Sequence, residues 1–410
     1  MRGSVVLVSC VMLPILLGAC VGNSTTGASA KSVPPAQNRL TLTVDSGPAG
    51  ASGQINHAYV TVMVCVPGSP TQCANIDHVL LDTGSSGLRL VGSVLAASVK
   101  LSSETDAQGQ ALEECVTFGG GQTWGPVALA DVTLAGESAA KVPIQIMDDT
   151  GSSATPPATC GANGTLINGI SGFGANGVLG IGVFAQDCGS ACTGAATPLP
   201  VYYGCSAAGV CSAENVALSA QVTNPATLFA VDNNGLIVTL PNLQNANGDQ
   251  SVAGEVIFGL GTQSDNTLPV TGLSVLGTNA SGDFTTTYNG GATVLPSLID
   301  SGADSYLFDD PTLGVCGSGP FVGYYCPAVA PQSAFAVNTG VGVNNTSSTV
   351  NFAIADPNTF VAGAAAFIDL AGGGGSSNFT WGMPFFYGRP IYVGFEQRTA
   401  GNYTGPYFAY

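Results

Sequence analysis

The sequence predicts an all-β protein built from two similar lobes, and three observations carry that expectation. Only 8% of the 410 residues are charged and 57 are Gly. Val, Thr, Ser and Ala fill much of the remainder, a mixture suited to short pleated strands and tight turns. From Leu40 onward short β-type runs recur between turn residues: "LTLTV", "AYVTVMVCV", "HVLL", "LRLV", "VALADVTLA", "VPIQIM", and later "GLIVTL", "EVIFGL", "SLID", "SYLF" and "RPIYVGFE". Finally, "HVLLDTGSSGLRLV" (78–91) and "PSLIDSGADSYLF" (296–308) share one plan: apolar strand, Asp, Ser or Thr, Gly, small residue, apolar strand. Each is followed at long range by an apolar-to-Gly segment, "NGVLGIG" (176–182) and "FTWGMPFF" (379–386). Two such halves, each offering one acid, suggest a duplication with the acids meeting at the junction.

The chain opens on Arg2, an apolar stretch Val5 to Leu17, and Leu17-Gly18-Ala19-Cys20. This reads as a secretory signal of residues 1–20, too short to span a bilayer comfortably. Its last four residues resemble the lipobox of bacterial lipoproteins, which implies lipidation of Cys20. Val21 in place of Asp implies sorting to the outer membrane, so a lipid-anchored protein of the bacterial cell envelope is expected. Residues 21–38, small, polar and Pro-containing, read as a flexible tether. Residues 39–243 are expected to form an N-terminal lobe and 244–410 a C-terminal lobe. Helical signals are scarce. The best candidate is "PNTFVAGAAAFIDL" (357–370), opened by Pro357 after Asp356; the Gly run 372–375 reads as a loop.

Removing residues 1–20 takes away Arg2 and no acid, leaving 7 Lys+Arg against 25 Asp+Glu, a charge of −18. Nucleic acid and anionic lipid surfaces are therefore poor partners, and basic substrates would be steered better than acidic ones. Ten cysteines follow Cys20, an even number that argues for disulfides in an exported chain. Proximity suggests Cys65–Cys73, Cys188–Cys192, Cys205–Cys211 and Cys316–Cys326, leaving Cys115 and Cys160, although spacing alone cannot prove connectivity. The only histidines, His57 and His78, lie in no ligand-spaced motif, so neither metal nor cofactor is expected.

Four acids sit in D-[ST]-G or similar settings. Asp45 runs into Pro and Gly, and Asp149 into "SSATPP"; both read as turn or loop acids. Asp82 and Asp300 alone have apolar strands on both sides. Two carboxyls about 3 Å apart cannot both ionise, so they share a proton and can act as base and acid on one water. Glycine after the hydroxyl residue lets backbones approach closely.

In these features the chain resembles the bilobal, pepsin-like aspartic peptidases over about residues 55–400. "HVLLDTGSSGLRLV" resembles the first active-site loop and "LIDSGADSYLF" the second. "TFGGGQTWGPVALADVTLAG" (117–136) is similar to the flap hairpin, "GVLGIG" to the strand threading behind the first acid, and "GLIVTLPN…GEVIFGLG" (235–261) to interlobe strands. The chain also resembles an uncharacterised family of bacterial predicted lipoproteins. The first resemblance implies a dyad of Asp82 and Asp300, bracing by Thr83 and Ser301, and a hydrogen bond from Ser85 to Asp82. It also implies that Gly84 and Gly302 let the turns meet, and that Phe118, Gly119 and Trp124 belong to the flap. Three positions depart from that pattern. Ala303 replaces a frequent hydroxyl, which implies a less acidic working pH. Phe118 stands where the flap usually has Tyr. Arg89 stands where Trp is usual; it either points at the site, favouring ionised Asp82, or faces solvent on an alternating strand. Trp124 either compensates on the flap or packs in the core.

The implied activity is an envelope-tethered aspartic endopeptidase acting on peptide or unfolded protein. The first alternative is a silent version of the fold that binds peptide in the cleft. A structural or adhesive lipoprotein would need repeats of 20–50 residues, which are not seen. Both dyad acids lie in one chain, so a monomer is expected.

Overall fold

The computed structural model describes residues 38–410 apart from 162–164, 270, 345 and 375–377. The signal segment, Cys20 and residues 21–37 of the expected tether lie outside the described residues. Asn38, read as the end of that tether, is instead buried, its side-chain amide donating to the Phe258 carbonyl at 2.9 Å. The strand that begins at Arg39 already needs this anchor, because Arg39–Val44 pairs along its whole length with Val252–Phe258.

Strand and turn dominate, as expected; the described α-helix is the single turn Ile170–Phe173. Alternation works where one face meets the core. In Arg39–Val44 the residues Leu40, Leu42 and Val44 are buried while the intervening ones are exposed or half-buried. A strand covered on both faces loses this alternation: every residue of Ser86–Val91 is buried.

The described strands fall into a 16-stranded sheet, a 7-stranded sheet and a small hairpin. In the larger sheet the hairpin Ala111–Phe118 with Gly121–Leu134 leads through Glu137–Met147 to Ser86–Val91, Gly177–Ile181, Cys73–Asp82, Ala58–Cys65 and Arg39–Val44. It continues through Val252–Phe258, Gly235–Thr239, Ile391–Gly394, Tyr407–Ala409 and Val275–Gly277. Gly121–Leu134 also pairs with Ala58–Cys65, folding the first part of the sheet back on itself. The smaller sheet is drawn from residues 284–381, with Thr293–Ile299, Phe379–Trp381 and Tyr306–Phe308 adjacent in it. The first candidate acid thus belongs to one sheet and the second to the other. One apolar core includes side chains of both, among them Leu81, Leu179, Ile299, Trp381 and Phe408.

Among the described residues the disulfides are Cys65–Cys73, Cys188–Cys192, Cys205–Cys211 and Cys316–Cys326, the four pairs that proximity suggested, and Cys115–Cys160, the two cysteines it left over. The helix expected over 357–370 does not form. Asp356 caps a single 3-10 turn, Pro357–Thr359, by accepting from the Asn358 amide. The chain then opens, because the Ala365 carbonyl is taken by the Asn56 amide and the Ala365 and Ala366 amides by the Asp249 carbonyl. Tertiary hydrogen bonds thus replace the helical ladder, and Gly363 at φ 80° suits the turn and not a helix.

Candidate active site

Asp82 closes the strand Cys73–Asp82, whose last four residues are all buried. The chain turns over Thr83–Ser85 and resumes as Ser86–Val91. Gly177–Ile181 runs between these two arms, parallel to the first with Gly180 opposite Asp82, and antiparallel to the second with Gly180 opposite Gly87. The other half repeats the plan. Thr293–Ile299 leads into Asp300, Tyr306–Phe308 leads out, and Phe379–Trp381 pairs parallel with the first and antiparallel with the second. The Asp300 amide is held by the Trp381 carbonyl at 3.0 Å. The repeat read from the sequence is therefore a repeat of structure.

The two turns interlock through their hydroxyl residues. Thr83 Oγ1 accepts the Ser301 amide at 3.0 Å and donates to the Ile299 carbonyl at 2.8 Å. Ser301 Oγ accepts the Thr83 amide at 3.1 Å and donates to the Leu81 carbonyl at 2.7 Å. Both side chains are buried, so no water competes for these four bonds. The contact also needs glycine. A Cβ on Gly84 would lie 2.6 Å from the Asp300 carboxyl carbon, and one on Gly302 would lie 2.9 Å from that of Asp82. Each turn thus rests against the other turn's acid.

The two carboxyls are not equivalent. Asp82, 6% exposed, accepts the Gly84 amide on Oδ1 at 2.8 Å and the Ser85 hydroxyl on Oδ2 at 2.5 Å. Asp300 accepts the Gly302 amide at 2.8 Å, but Ala303 offers no hydroxyl where Ser85 stands on the first loop. Burial, followed by the negative charge of Asp82, pushes the Asp300 carboxyl well above the usual carboxylate range. Two carboxyls this close titrate as a pair, and the raised Asp300 favours a state in which the pair shares one proton.

The hairpin resembling a flap turns at Gly119 and Gly120, between the facing residues Phe118 and Gly121. Phe118 packs edge-on against Phe173 at 5.3 Å, beside Tyr59, Leu80 and Val178. The hairpin is tethered from behind. Gln122 exchanges backbone hydrogen bonds with Thr165 and Ile167, at 3.0 and 2.8 Å, and Cys115 is bonded to Cys160. Of the two alternatives for Trp124, the structure selects packing. The side chain is buried, its indole nitrogen donates to the Ala154 carbonyl at 2.8 Å, and it meets Tyr203 at 5.4 Å.

Arg89 fits neither sequence expectation: it neither faces solvent nor bears on Asp82 as an uncompensated charge. Every residue of its strand is buried, so neither of the faces between which side chains alternate leads to water. The guanidinium is 1% exposed and grips Glu114 with two nitrogens, at 2.7 and 3.2 Å, Asp187 at 3.0 Å and the Ser86 carbonyl at 2.9 Å. Burial opposes its charge, but Glu114 and Asp187 outweigh burial and hold the arginine above its usual value. Tyr202 completes the cluster, donating to Asp187 at 2.6 Å and accepting the Val222 amide at 2.7 Å. Sequence reasoning missed Glu114, Asp187 and Tyr202. One signal was present: "EE" at 113–114 inside the otherwise β-forming run "ALEECVTF".

Asp45 and Asp149, the other two acids in similar sequence settings, stay in turns of their own. Asp45 accepts the Gly47 amide in its own turn, and Asp149 accepts the Ser93 amide on the surface. His78 sits between Asp45 and Asp77, at 3.4 and 3.1 Å. Two cavities adjoin along Gly84–Ser86 and Asp187–Cys188. One, of about 390 Å³, lies under the hairpin beside Val116, Thr117 and Gln122. The other, of about 560 Å³, extends to Gly282, Asp283, Leu298 and Phe408.

No curated protein sequence matches the chain significantly. Among solved structures, the crystal structure of the aspartic proteinase from Irpex lacteus is similar over 90% of this chain and 96% of that one, with a TM-score of 0.51 and 17% identity. At that identity the likeness shows the fold, which is pepsin-like and all-β. Over residues 34–410 the chain matches, and therefore belongs to, the family described as "Protein of unknown function (DUF3443)".

Proposed function

We propose that the protein is an aspartic endopeptidase tethered to the bacterial envelope through a lipid on Cys20, and that Asp82 and Asp300 are its catalytic pair. The observation that supports this most is the asymmetric carboxyl pair at the end of two interlocked turns. Ionised Asp82 takes a proton from a water lying between the acids, and Asp300 gives its proton to the peptide carbonyl oxygen as the water oxygen attacks. The resulting tetrahedral diol collapses when Asp82 passes its proton to the leaving nitrogen and Asp300 recovers one from a diol hydroxyl. Both acids then return to their starting states. Neutralisation of Arg89 by Glu114 and Asp187 supports the same reading, because it leaves no unpaired cation to hold both acids ionised.

A second reading, a silent fold that binds peptide, is favoured by Phe118, which carries no hydroxyl at the tip of the hairpin. Cleavage of an unfolded protein from pH 3 to 7, by the chain from Val21 and by its Asp82→Asn and Asp300→Asn variants, separates the two. Loss of cleavage in both variants, with inhibition by a transition-state-mimicking aspartic-peptidase inhibitor, is the expected result. A folded wild-type protein that cleaves nothing at any of these pH values overturns the catalytic reading.

A further inference from the structure

The larger cavity has a lining that matches one kind of side chain. It shares Thr83, Gly84 and Ser85 with the first acid's turn. Part of its wall is apolar: Val183, Phe184, Leu298 and Phe408. Its ionisable lining consists of Asp187, Asp283 and Glu396, with no Lys, Arg or His.

These carboxylates have unequal freedom. Asp187 is committed to Arg89. Glu396 accepts the Ala185 amide on Oε1 at 2.9 Å, and Asp283 accepts the Asn279 side-chain amide at 3.3 Å. Among the described residues, neither Glu396 nor Asp283 has a Lys or Arg within ion-pair distance.

Two half-buried carboxylates lining a partly apolar cavity invite a cation carried on a hydrocarbon stem, since Lys and Arg lay their methylenes on apolar surface and keep the charge at a polar end. A bare metal ion fits less well. The one described group whose His, Cys, Asp or Glu ligand atoms converge to within 4.8 Å is Cys316, Cys326 and Asp356, where the two cysteines are disulfide-bonded. The overall charge of −17 adds long-range attraction of the same sign.

We propose that this cavity receives a lysine or arginine side chain of the bound peptide, with Asp283 and Glu396 facing its charge, so that the protein selects sequences carrying a basic residue at one fixed distance from the carboxyl pair. The proposal rests on the peptide-handling reading above, though not on catalysis itself.

Two measurements on the full chain test it. In the first, peptides differing only by Lys or norleucine at one position are bound to the Asp300→Asn protein and to the same protein carrying Asp283→Asn and Glu396→Gln. Glutamine keeps the acceptor for the Ala185 amide, and the Lys/norleucine comparison on the parent protein needs no added substitution. The lysine peptide is expected to bind about tenfold or more tightly, a gap of ~1.4 kcal/mol, shrinking to under about threefold in the substituted protein and at high salt. In the second, wild type cleaves a mixed peptide library and its sites are sequenced, with Lys or Arg expected at one position. Basic preference in binding without any cleavage sustains this inference and overturns the catalytic proposal. Cleavage with no basic preference, or equal binding of the two peptides, overturns this inference and leaves catalysis standing. Neither binding nor cleavage overturns both.

Discussion

Thr83→Val and Ser301→Ala probe the interlock between the two turns without touching either acid. Thr83→Val keeps the side-chain shape but removes the donor to the Ile299 carbonyl and the acceptor for the Ser301 amide, bonds of 2.8 and 3.0 Å. Ser301→Ala removes the donor to the Leu81 carbonyl and the acceptor for the Thr83 amide, at 2.7 and 3.1 Å. Each change leaves one carbonyl and one amide unpaired in a buried place, at a cost of about 1–1.5 kcal/mol per group. A single substitution is then expected to cost about 2–3 kcal/mol, a large share of a typical total stability of ~5–15 kcal/mol. The bonds cross the same junction, and opening one pair lets water reach the other. The double variant is therefore expected to cost about 1 kcal/mol less than the sum of the singles. Urea unfolding read by intrinsic fluorescence measures this, with the exposed Ser102→Ala as a control expected to stay within about 0.5 kcal/mol. Single variants that cost no more than that control, or a double variant that equals the sum, would refute the interlock.

Ala303→Ser supplies Asp300 with the kind of donor that Ser85 gives Asp82. The extra hydrogen bond favours the ionised form and lowers the raised pKa of Asp300, so the alkaline limb of the kcat/KM profile is expected to move down by about one pH unit; a limb that stays or rises contradicts the assignment of the proton to Asp300. Arg89→Leu strands Glu114 and Asp187 without their cation and is expected to cost ~3–5 kcal/mol. Adding Glu114→Gln and Asp187→Asn is expected to restore at least half of this in thermal or urea unfolding. Glu113 is buried with Oε2 unpaired among the described residues, and burial followed by the charge of Asp148 pushes its carboxyl to about 8. The folded state then keeps a proton that the unfolded chain releases near pH 4.3, so this group's stability contribution is full below ~4.3 and lost as pH rises toward about 8. Glu113→Gln is expected to flatten the fall in stability between pH 5 and 8 by about 2 kcal/mol, and parallel curves for the two proteins would place Glu113 in contact with water.

The sequence alone determined the features written in local pattern. Alternation in "RLTLTV" and the recurring turn residues specify an all-β chain, because a strand with one face in the core must repeat every second residue. The context of Asp82 and Asp300, apolar on both sides, separated them from Asp45 and Asp149, because a rigid, poorly hydrated turn needs strands before and after it. Disulfides between near neighbours were legible for the same local reason. Tertiary structure decided whatever depends on partners far apart in the chain. Arg89 meets Glu114 25 residues away and Asp187 98 residues away, and only the register of the intervening strands makes a buried cation out of a residue that alternation would turn outward. The same dependence stopped the helix expected over 357–370, whose backbone groups found Asn56 and Asp249, and sent Trp124 into the core. It also raised the Asp300 carboxyl above the usual carboxylate range. Residue types supply Ser85 on one loop and Ala303 on the other, but the difference acquires its force only when burial and a second carboxyl bear on Asp300 together.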